Sequence, residues 1–235
     1  MLLDIHSHIL PAVDDGAQNL DDSLTLLKMM ASQGITHIIA TPHFYPNNDT
    51  LEDFKSRVTV AEQLLKNTPS DIPQIIIGCE LFYYTGISKS ELIKEFTLGK
   101  SNYILLEPNP FYINKTLMSE ILYLRDELGL IPIIPHIERY HKSKGYKNFI
   151  SFIKENQILC QVNAGSFFDK HYNRAIDKLF KNGIVTFIAT DTHSLRRPPL
   201  LANALIEIEN RFSTDEKERI ISNLNTLLGE ITVKD

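Results

Sequence analysis

From end to end, the chain alternates short apolar runs, most of them ending on a histidine or an acid, with longer stretches whose apolar residues recur at helical spacing. Seven runs read as strands: residues 2–6, 36–41, 74–80, 103–107, 131–136, 160–164 and 184–191. The first helix is predicted after an Asn19 or Asp21 cap, carries Leu20, Leu24, Leu27 and Met30 on one side, and stops at Gly34. Further helices are predicted over 51–66, 117–128, 146–155, 174–182, 199–212 and 215–228. Strand–helix alternation of this kind implies a mainly parallel sheet. About seven strands without a Gly-rich dinucleotide loop favour a closed barrel over a Rossmann sheet. No repeat, low-complexity tract or linker interrupts the pattern, so residues 1–235 read as a single α/β domain.

The ends of the strands carry the chemistry. In parallel barrels the strand C-termini and the loops after them surround one cavity. Here those positions hold His6 and His8, His43, Glu80, Glu107, His136, and Asp191 with His193; only the sixth strand lacks an acid or imidazole, offering Asn163. His6 and His8 are two apart on a strand and therefore face the same way. Alone, such a pair need do no more than hydrogen bond. Eight groups at strand ends are hard to credit to chance. Without cations, so many carboxylates and imidazoles in one cavity would repel or titrate unfavourably. Mixed imidazole–carboxylate donors suit Mn, Fe, Zn or Co, and the donor number argues for two or three ions, with Glu80 bridging. Clustered divalent ions acidify water and clamp phosphoryl oxygens.

Composition narrows the partners. A net charge of −5 with no basic run argues against nucleic acid as the main partner. No apolar stretch approaches the roughly 20 residues of a membrane span. The N-terminus lacks the basic and apolar regions of a signal peptide. Two cysteines, Cys79 and Cys160, make no disulfide framework. A soluble, cytoplasmic protein is expected.

The ordered motifs resemble a known group. Asp4-Ile5-His6-Ser7-His8, Thr41-Pro42-His43, Glu80, Pro135-His136 and Asp191-Thr192-His193 resemble the polymerase and histidinol phosphatase (PHP) superfamily. Val13-Asp14-Asp15-Gly16, Leu81-Phe82-Tyr83-Tyr84, His136-Ile137-Glu138-Arg139-Tyr140, Gln161-Val162-Asn163-Ala164-Gly165-Ser166 and Arg197-Pro198-Pro199 resemble, more narrowly, the CpsB/YwqE-type bacterial protein-tyrosine phosphatases. The likeness spans nearly the whole chain. It implies a distorted (β/α)7 barrel of the PHP fold and a manganese-dependent phosphotyrosine phosphatase with three ions. The implied substrate is the tyrosine-rich tail of a bacterial tyrosine kinase that controls capsule or exopolysaccharide assembly. Carried over by motif, one metal takes His6, His8, Glu80 and Asp191. A second shares Glu80 and adds Glu107 and His136. A third takes Asp15, His43 and His193, the family pattern favouring Asp15 over Asp14. Arg139 and Arg197 match phosphate-gripping arginines, with Arg196 beside the latter. His43 or His193 is a possible acid for the leaving group.

Rim aromatics Tyr45, Phe82, Tyr83, Tyr84, Phe111 and Tyr112 follow the site-bearing strands; they either flank a phosphotyrosine ring or pack the loops, and Tyr83 is the substrate contact singled out. Asp4 reads as a partner behind the ligands; His37, His141 and His171 read as bystanders. A cysteine-dependent phosphatase needs Arg six residues after its Cys, whereas Thr85 and Ser166 stand there. Other readings are a small-molecule phosphatase of the histidinol-phosphate type, a PHP exonuclease, an amidohydrolase and a non-catalytic metal-binding module. The amidohydrolase pattern has eight strands and often a bridging carboxylated lysine on the fourth, where this chain has Glu107.

Overall fold

The structure, a computed structural model, describes residues 1–66 and 71–232. Its strands are β1 (Leu3–Ser7), β2 (His37–Ala40), β3 (His43–Phe44), β4 (Gln74–Ile77), β5 (Glu80–Phe82), β6 (Tyr103–Glu107), β7 (Ile131–Ile134), β8 (Leu159–Asn163) and β9 (Phe187–Ala189). All strand pairs are parallel, in the orders β1-β2-β4 and β3-β5-β6-β7-β8-β9.

One expected strand is split, and another is followed by a short strand that was not expected. The 36–41 run forms β2 and stops before Pro42, which has no N–H to give a ladder; pairing then resumes as β3. The 74–80 run breaks at Gly78-Cys79, so Glu80 opens β5 rather than closing β4. Pairing continues across both breaks: Gly78 N–H donates to the Ala40 carbonyl at 2.8 Å and Glu80 N–H to the Pro42 carbonyl at 3.1 Å. The two sheets therefore continue one another. At the far side the segment after β9 returns to β1, where Asp191 N–H donates to the His6 carbonyl at 2.8 Å and His8 N–H to the Thr192 carbonyl at 2.9 Å. The result is a curled parallel sheet.

Among the described residues seven α-helices surround it: α1 (Leu20–Ser32), α2 (Leu51–Leu65), α3 (Lys115–Asp126), α4 (Tyr146–Asn156), α5 (Asn173–Lys181), α6 (Leu201–Arg211) and α7 (Thr214–Thr232). Local chemistry sets their starts. Asn19 caps α1 by accepting from Asp22 N–H, and Thr50 and Asn114 cap α2 and α3 in the same way. Helix α1 buries Ser23, Leu26, Leu27 and Met30, the spacing of one helix face. Those faces press on the strands, whose Ile5, Ile38, Leu81, Leu105, Ile133, Val162 and Ile188 are fully buried. Strand β9 is shorter than the predicted 184–191 run, and β7 stops two residues before His136. No helix among the described residues is long and apolar enough to cross a membrane.

Candidate metal centre

The curl of the sheet converts positions far apart in sequence into neighbours. Glu80 lies at the middle, fully buried. Its Oε2 is 3.1 Å from His6 Nε2, 3.3 Å from His8 Nε2 and 3.0 Å from His43 Nδ1. Its Oε1 is 2.9 Å from His136 Nε2, which is 3.5 Å from Glu107 Oε1. Asp191 Oδ1 is 3.5 Å from both His6 Nε2 and His8 Nε2, and 3.4 Å from His193 Nδ1. Asp15 Oδ1 lies 3.6 Å from His43 Nε2 and 3.4 Å from His193 Nε2. All nine side chains expected to ligate metal thus lie in one cluster.

The donor set fits cations. Three overlapping groups each bring one ligand atom per residue within 4.8 Å of the others: His8, Asp15, His43 and His193; His6, His8 and Glu80; and His43, Glu80 and Glu107. His6 Nε2 and His8 Nε2 face each other at 3.1 Å. Glu80 Oε2 and His43 Nδ1 are buried with no partner in hydrogen-bond geometry. Lone pairs crowded like this and shielded from water are costly unless a positive charge sits among them.

The electrostatics carry the same mark. Burial, together with the negative charges of Glu80 and Asp191, pushes the Glu107 carboxyl up to about 9. Burial opposes charge on His6 too, yet Glu80 and Asp191 outweigh it and raise that imidazole. Burial and the Arg139 charge lower His136 to about 4. Against their own burial, Glu80 is held well below the carboxylate range by His6 and His136, and Asp191 is lowered by His6 and Arg139. The metal-free centre is a strained balance of neighbouring charges that a divalent ion would relieve.

Backbone strain falls on two of the same residues. His136 and Asp191 have φ of 34° and 50°, left-handed values that non-glycine residues rarely adopt. Each costs on the order of 1–3 kcal/mol and persists only where surrounding structure enforces it. Both sit just past a strand end, where the chain turns its side chain inward.

Behind the cluster runs a layer of orienting groups. His8 Nδ1 donates to Asp14 Oδ2 at 2.6 Å, and Asp14 also accepts from Gly16 N–H and His43 N–H. Asp14 and Asp15 therefore separate: the first holds His8 from behind, the second faces His43 and His193. His6 Nδ1 donates to Gln161 Oε1 at 3.2 Å, Gln161 Nε2 to Asn163 Oδ1 at 2.7 Å, and Asn163 Nδ2 to Asp191 Oδ2 at 2.6 Å. This relay explains why β8 brings amides to a rim of acids and imidazoles. Sequence reasoning gave Gln161 no role, although a glutamine and an asparagine two apart in an apolar strand share a face and point to a polar partner there. Asp4 accepts from Thr190 N–H and Thr190 Oγ1, tying β1 to the chain after β9.

The arginines separate similarly. Arg139 Nη2 and Arg197 Nη2 reach Asp191 Oδ2 at 2.7 and 2.5 Å, while Arg196 is exposed and makes no such contact. Tyr83 is a correction. Along β5 and the residue after it, Glu80 and Phe82 face the cluster side and Tyr83 the other, so its hydroxyl is buried beside Glu120 rather than at the mouth; burial pushes it up to about 12. The aromatic wall instead contains Tyr45, whose ring is 5.0 Å from His43 and 5.6 Å from Phe82. Phe111 and Tyr112 are exposed. His37 contacts Thr36 at the start of β2, away from the cluster.

Fold and site together define an α/β protein with a curled parallel sheet and a buried imidazole–carboxylate centre able to hold metal at its strand ends. The chain belongs to the family described as capsular polysaccharide synthesis, CpsB/CapC, which matches residues 2–228. It is 31% identical to the tyrosine-protein phosphatase YwqE of Bacillus subtilis (strain 168), over 99% of this chain and 93% of that one. It is 30% identical to the tyrosine-protein phosphatase CpsB of Streptococcus agalactiae serotype III (strain NEM316), over 97% and 98%. A crystal structure from the pair YwqE of Bacillus subtilis and CpsB of Streptococcus pneumoniae, described as unique metal-dependent tyrosine phosphatases, superposes with a TM-score of 0.84 at 27% identity, covering 99% of this chain and 96% of that one. An inactive dihydroorotase-like domain of Chaetomium thermophilum shares the fold alone, with a TM-score of 0.61 at 14% identity over 98% of this chain and 78% of that one.

Proposed function

We propose that this chain is a manganese-dependent protein-tyrosine phosphatase acting in the cytoplasm on the tyrosine-rich tail of a bacterial tyrosine kinase that governs capsule or exopolysaccharide assembly. The observation that carries this reading is the pairing of a nine-residue donor cluster with two arginines at its edge. Family membership and the relatives' names support the reaction and the capsule link. We also read residues 1–235 as one domain and the curled sheet as a distorted (β/α)7 barrel, counting β2 with β3 and β4 with β5 as single barrel positions; the hydrogen bonds across both breaks and the one contiguous core support this count. Residues 67–70 and 233–235 lie outside the described part of that domain.

His6, His8, Glu80 and Asp191 would hold one ion; Glu80, Glu107 and His136 a second; Asp15, His43 and His193 a third. When bound, these ions supply Lewis acidity and a water acidic enough to attack phosphorus near neutral pH. The protein's own groups do the rest. Arg139 and Arg197 each show one Nη on Asp191, which presets the planes of two guanidiniums whose other N–H groups match phosphoryl oxygens. Tyr45 and Phe82 flank the mouth and suit an aryl ring. A phenolate with an ordinary pKa near 10 is a fair leaving group, and an ion held by Asp15, His43 and His193 would ease its departure.

Rates on a phosphotyrosine peptide and on histidinol phosphate, measured side by side with manganese, test the reading. Faster turnover of the peptide is expected; a clear preference for histidinol phosphate would favour the small-molecule phosphatase instead. Iodoacetamide should leave the rate unchanged, because Cys79 and Cys160 are buried and burial raises both thiols.

Gly16 offers a positional test. A Cβ there would lie 2.0 Å from the His8 carbonyl oxygen and 2.5 Å from the His8 Cβ. Gly16→Ala must therefore push the 14–16 turn off His8, carrying Asp14 and Asp15 with it. The expected outcome is an aryl phosphatase kcat/KM at least about tenfold lower, since displacements of an ångström cost that much or more. Steady-state kinetics with a circular dichroism check separates this from unfolding.

A further inference from the structure

A second concave surface lies outside the centre just described. It is a groove of about 740 Å³ between α4 and α5, lined also by His141 and His171 from the turns beside them. Tyr146, Ile150, Ala175 and Leu179 contribute an apolar floor. Its walls hold His141, Lys147, His171, Arg174 and Lys178, and no carboxylate lines it. That is unexpected in a chain with 29 acids against 24 bases. Elsewhere the basic side chains are often paired: Arg57 with Asp49, Arg125 with Asp126, Arg211 with Asp177, Lys217 with Glu209. Among the described residues Lys147, Arg174 and Lys178 contact no carboxylate, and Lys142 Nζ meets only the His171 ring nitrogen, at 3.0 Å. The first turn of α4 also opens onto the groove, with Gly145 at its cap giving no side-chain acceptor. Unpaired cations around a concave, partly apolar surface concentrate the field and attract anions.

The groove is joined to the centre by one short element. The 3-10 turn Ile137–Lys142 carries Arg139 to Asp191 and His141 to the groove. Arg139 and His141 stand two residues apart on that turn, about 4 Å along its axis, so about four extended residues, some 13 Å of chain, suffice to reach from the Arg139 edge of the centre into the groove.

We propose that this groove is a second anion subsite, which holds a negatively charged side chain of the polypeptide whose phosphotyrosine occupies the metal centre, an aryl phosphate fitting best because the apolar floor takes the ring and the Lys147, Arg174 and Lys178 walls take the charge. The assignment rests on the phosphatase reading and deepens it: the enzyme prefers polypeptides carrying clustered anions over isolated phosphotyrosines.

The test uses full-length, manganese-loaded protein and two peptides. Both carry one phosphotyrosine; four residues away, one has phosphonomethylphenylalanine, which is not hydrolysed, and the other phenylalanine. Native protein is expected to show a kcat/KM about tenfold higher for the first, the order a few partly exposed charge-assisted contacts give, and the advantage shrinks as salt rises. In K147E/R174E/K178E the ratio falls to about one, while p-nitrophenyl phosphate hydrolysis stays at the native rate. K147Q/R174Q/K178Q, which adds no repulsion, moves the same way and covers the case in which charge reversal harms folding. Equal rates for the two peptides with native protein, or a preference that survives neutralisation, overturns the proposal. If neither peptide nor p-nitrophenyl phosphate is hydrolysed, the phosphatase reading falls. Fluorescence anisotropy with the labelled phosphonate peptide then decides the groove separately: weaker binding by the triple variants supports it, and unchanged binding overturns it.

Discussion

Glu80→Gln is expected to lower the kcat/KM for an aryl phosphate by about three orders of magnitude or more, with the fold intact. No other side chain stands so centrally. One carboxylate lies within 3.3 Å of four imidazoles, His6, His8, His43 and His136. Glutamine keeps the volume and the buried position, so packing survives. It removes the negative charge and turns an amide N–H toward nitrogens whose lone pairs would bind metal. Bound metal should fall together with turnover, measured on the same preparation by elemental mass spectrometry. Turnover within tenfold of native, with metal content unchanged, would contradict the role given to Glu80.

The second large effect is at Arg139. Arg139→Ala is expected to raise KM and lower kcat, for a combined kcat/KM loss of about 10²–10³. A guanidinium that grips phosphoryl charge acts on bound substrate and on the transition state, so both constants move. Arg139→Lys should recover only part of the loss, because an ammonium cannot reproduce the planar two-donor contact. Stability should change little: Asp191 keeps Arg197 Nη2 at 2.5 Å and Asn163 Nδ2 at 2.6 Å, so its buried charge is not stranded. Kinetics on p-nitrophenyl phosphate read the effect without peptide contacts. An unchanged KM would remove Arg139 from phosphate binding.

What the sequence revealed, and what it hid, follows from the range of the interactions involved. Apolar runs and helical spacing are local, and they located β6 at Tyr103–Glu107 and α2 and α4 within a residue. The break at Gly78-Cys79 is hidden because Ile75, Ile76, Ile77 and Cys79 read as one apolar run leading to Glu80, and β3 is hidden because His43-Phe44 is too short to stand out as a strand. Glu80 was picked out as a strand end and is in fact a strand start; its inward direction depends on the break two residues earlier. The strand-end rule gathered His6, Glu107, Asp191 and the rest as candidates, but only the curl of the sheet brings residues 6, 80 and 193 together. Asp14 and Asp15 are identical in kind and adjacent, so the sequence had no means of assigning one to His8 and the other to His43 and His193. Tyr83 follows β5 and so alternates away from Glu80 and Phe82, a direction that its place in a run of three aromatics conceals. The role of Gln161 is hidden because it depends on the fold that brings its side chain to His6. The cationic groove was invisible for the same reason: its lysines and arginine come from two helices with acids elsewhere on their turns.

The central claim is that side chains from seven segments of the chain converge to trap divalent cations, and that hydrolysis depends on them. The most direct measurement strips the protein with a chelator, records its metal content and its rate on a phosphotyrosine peptide, then adds manganese back in steps. No turnover is expected in the stripped protein, with recovery that saturates as the centre fills. Full activity without metal, or a filled centre that hydrolyses no phosphotyrosine, would contradict it.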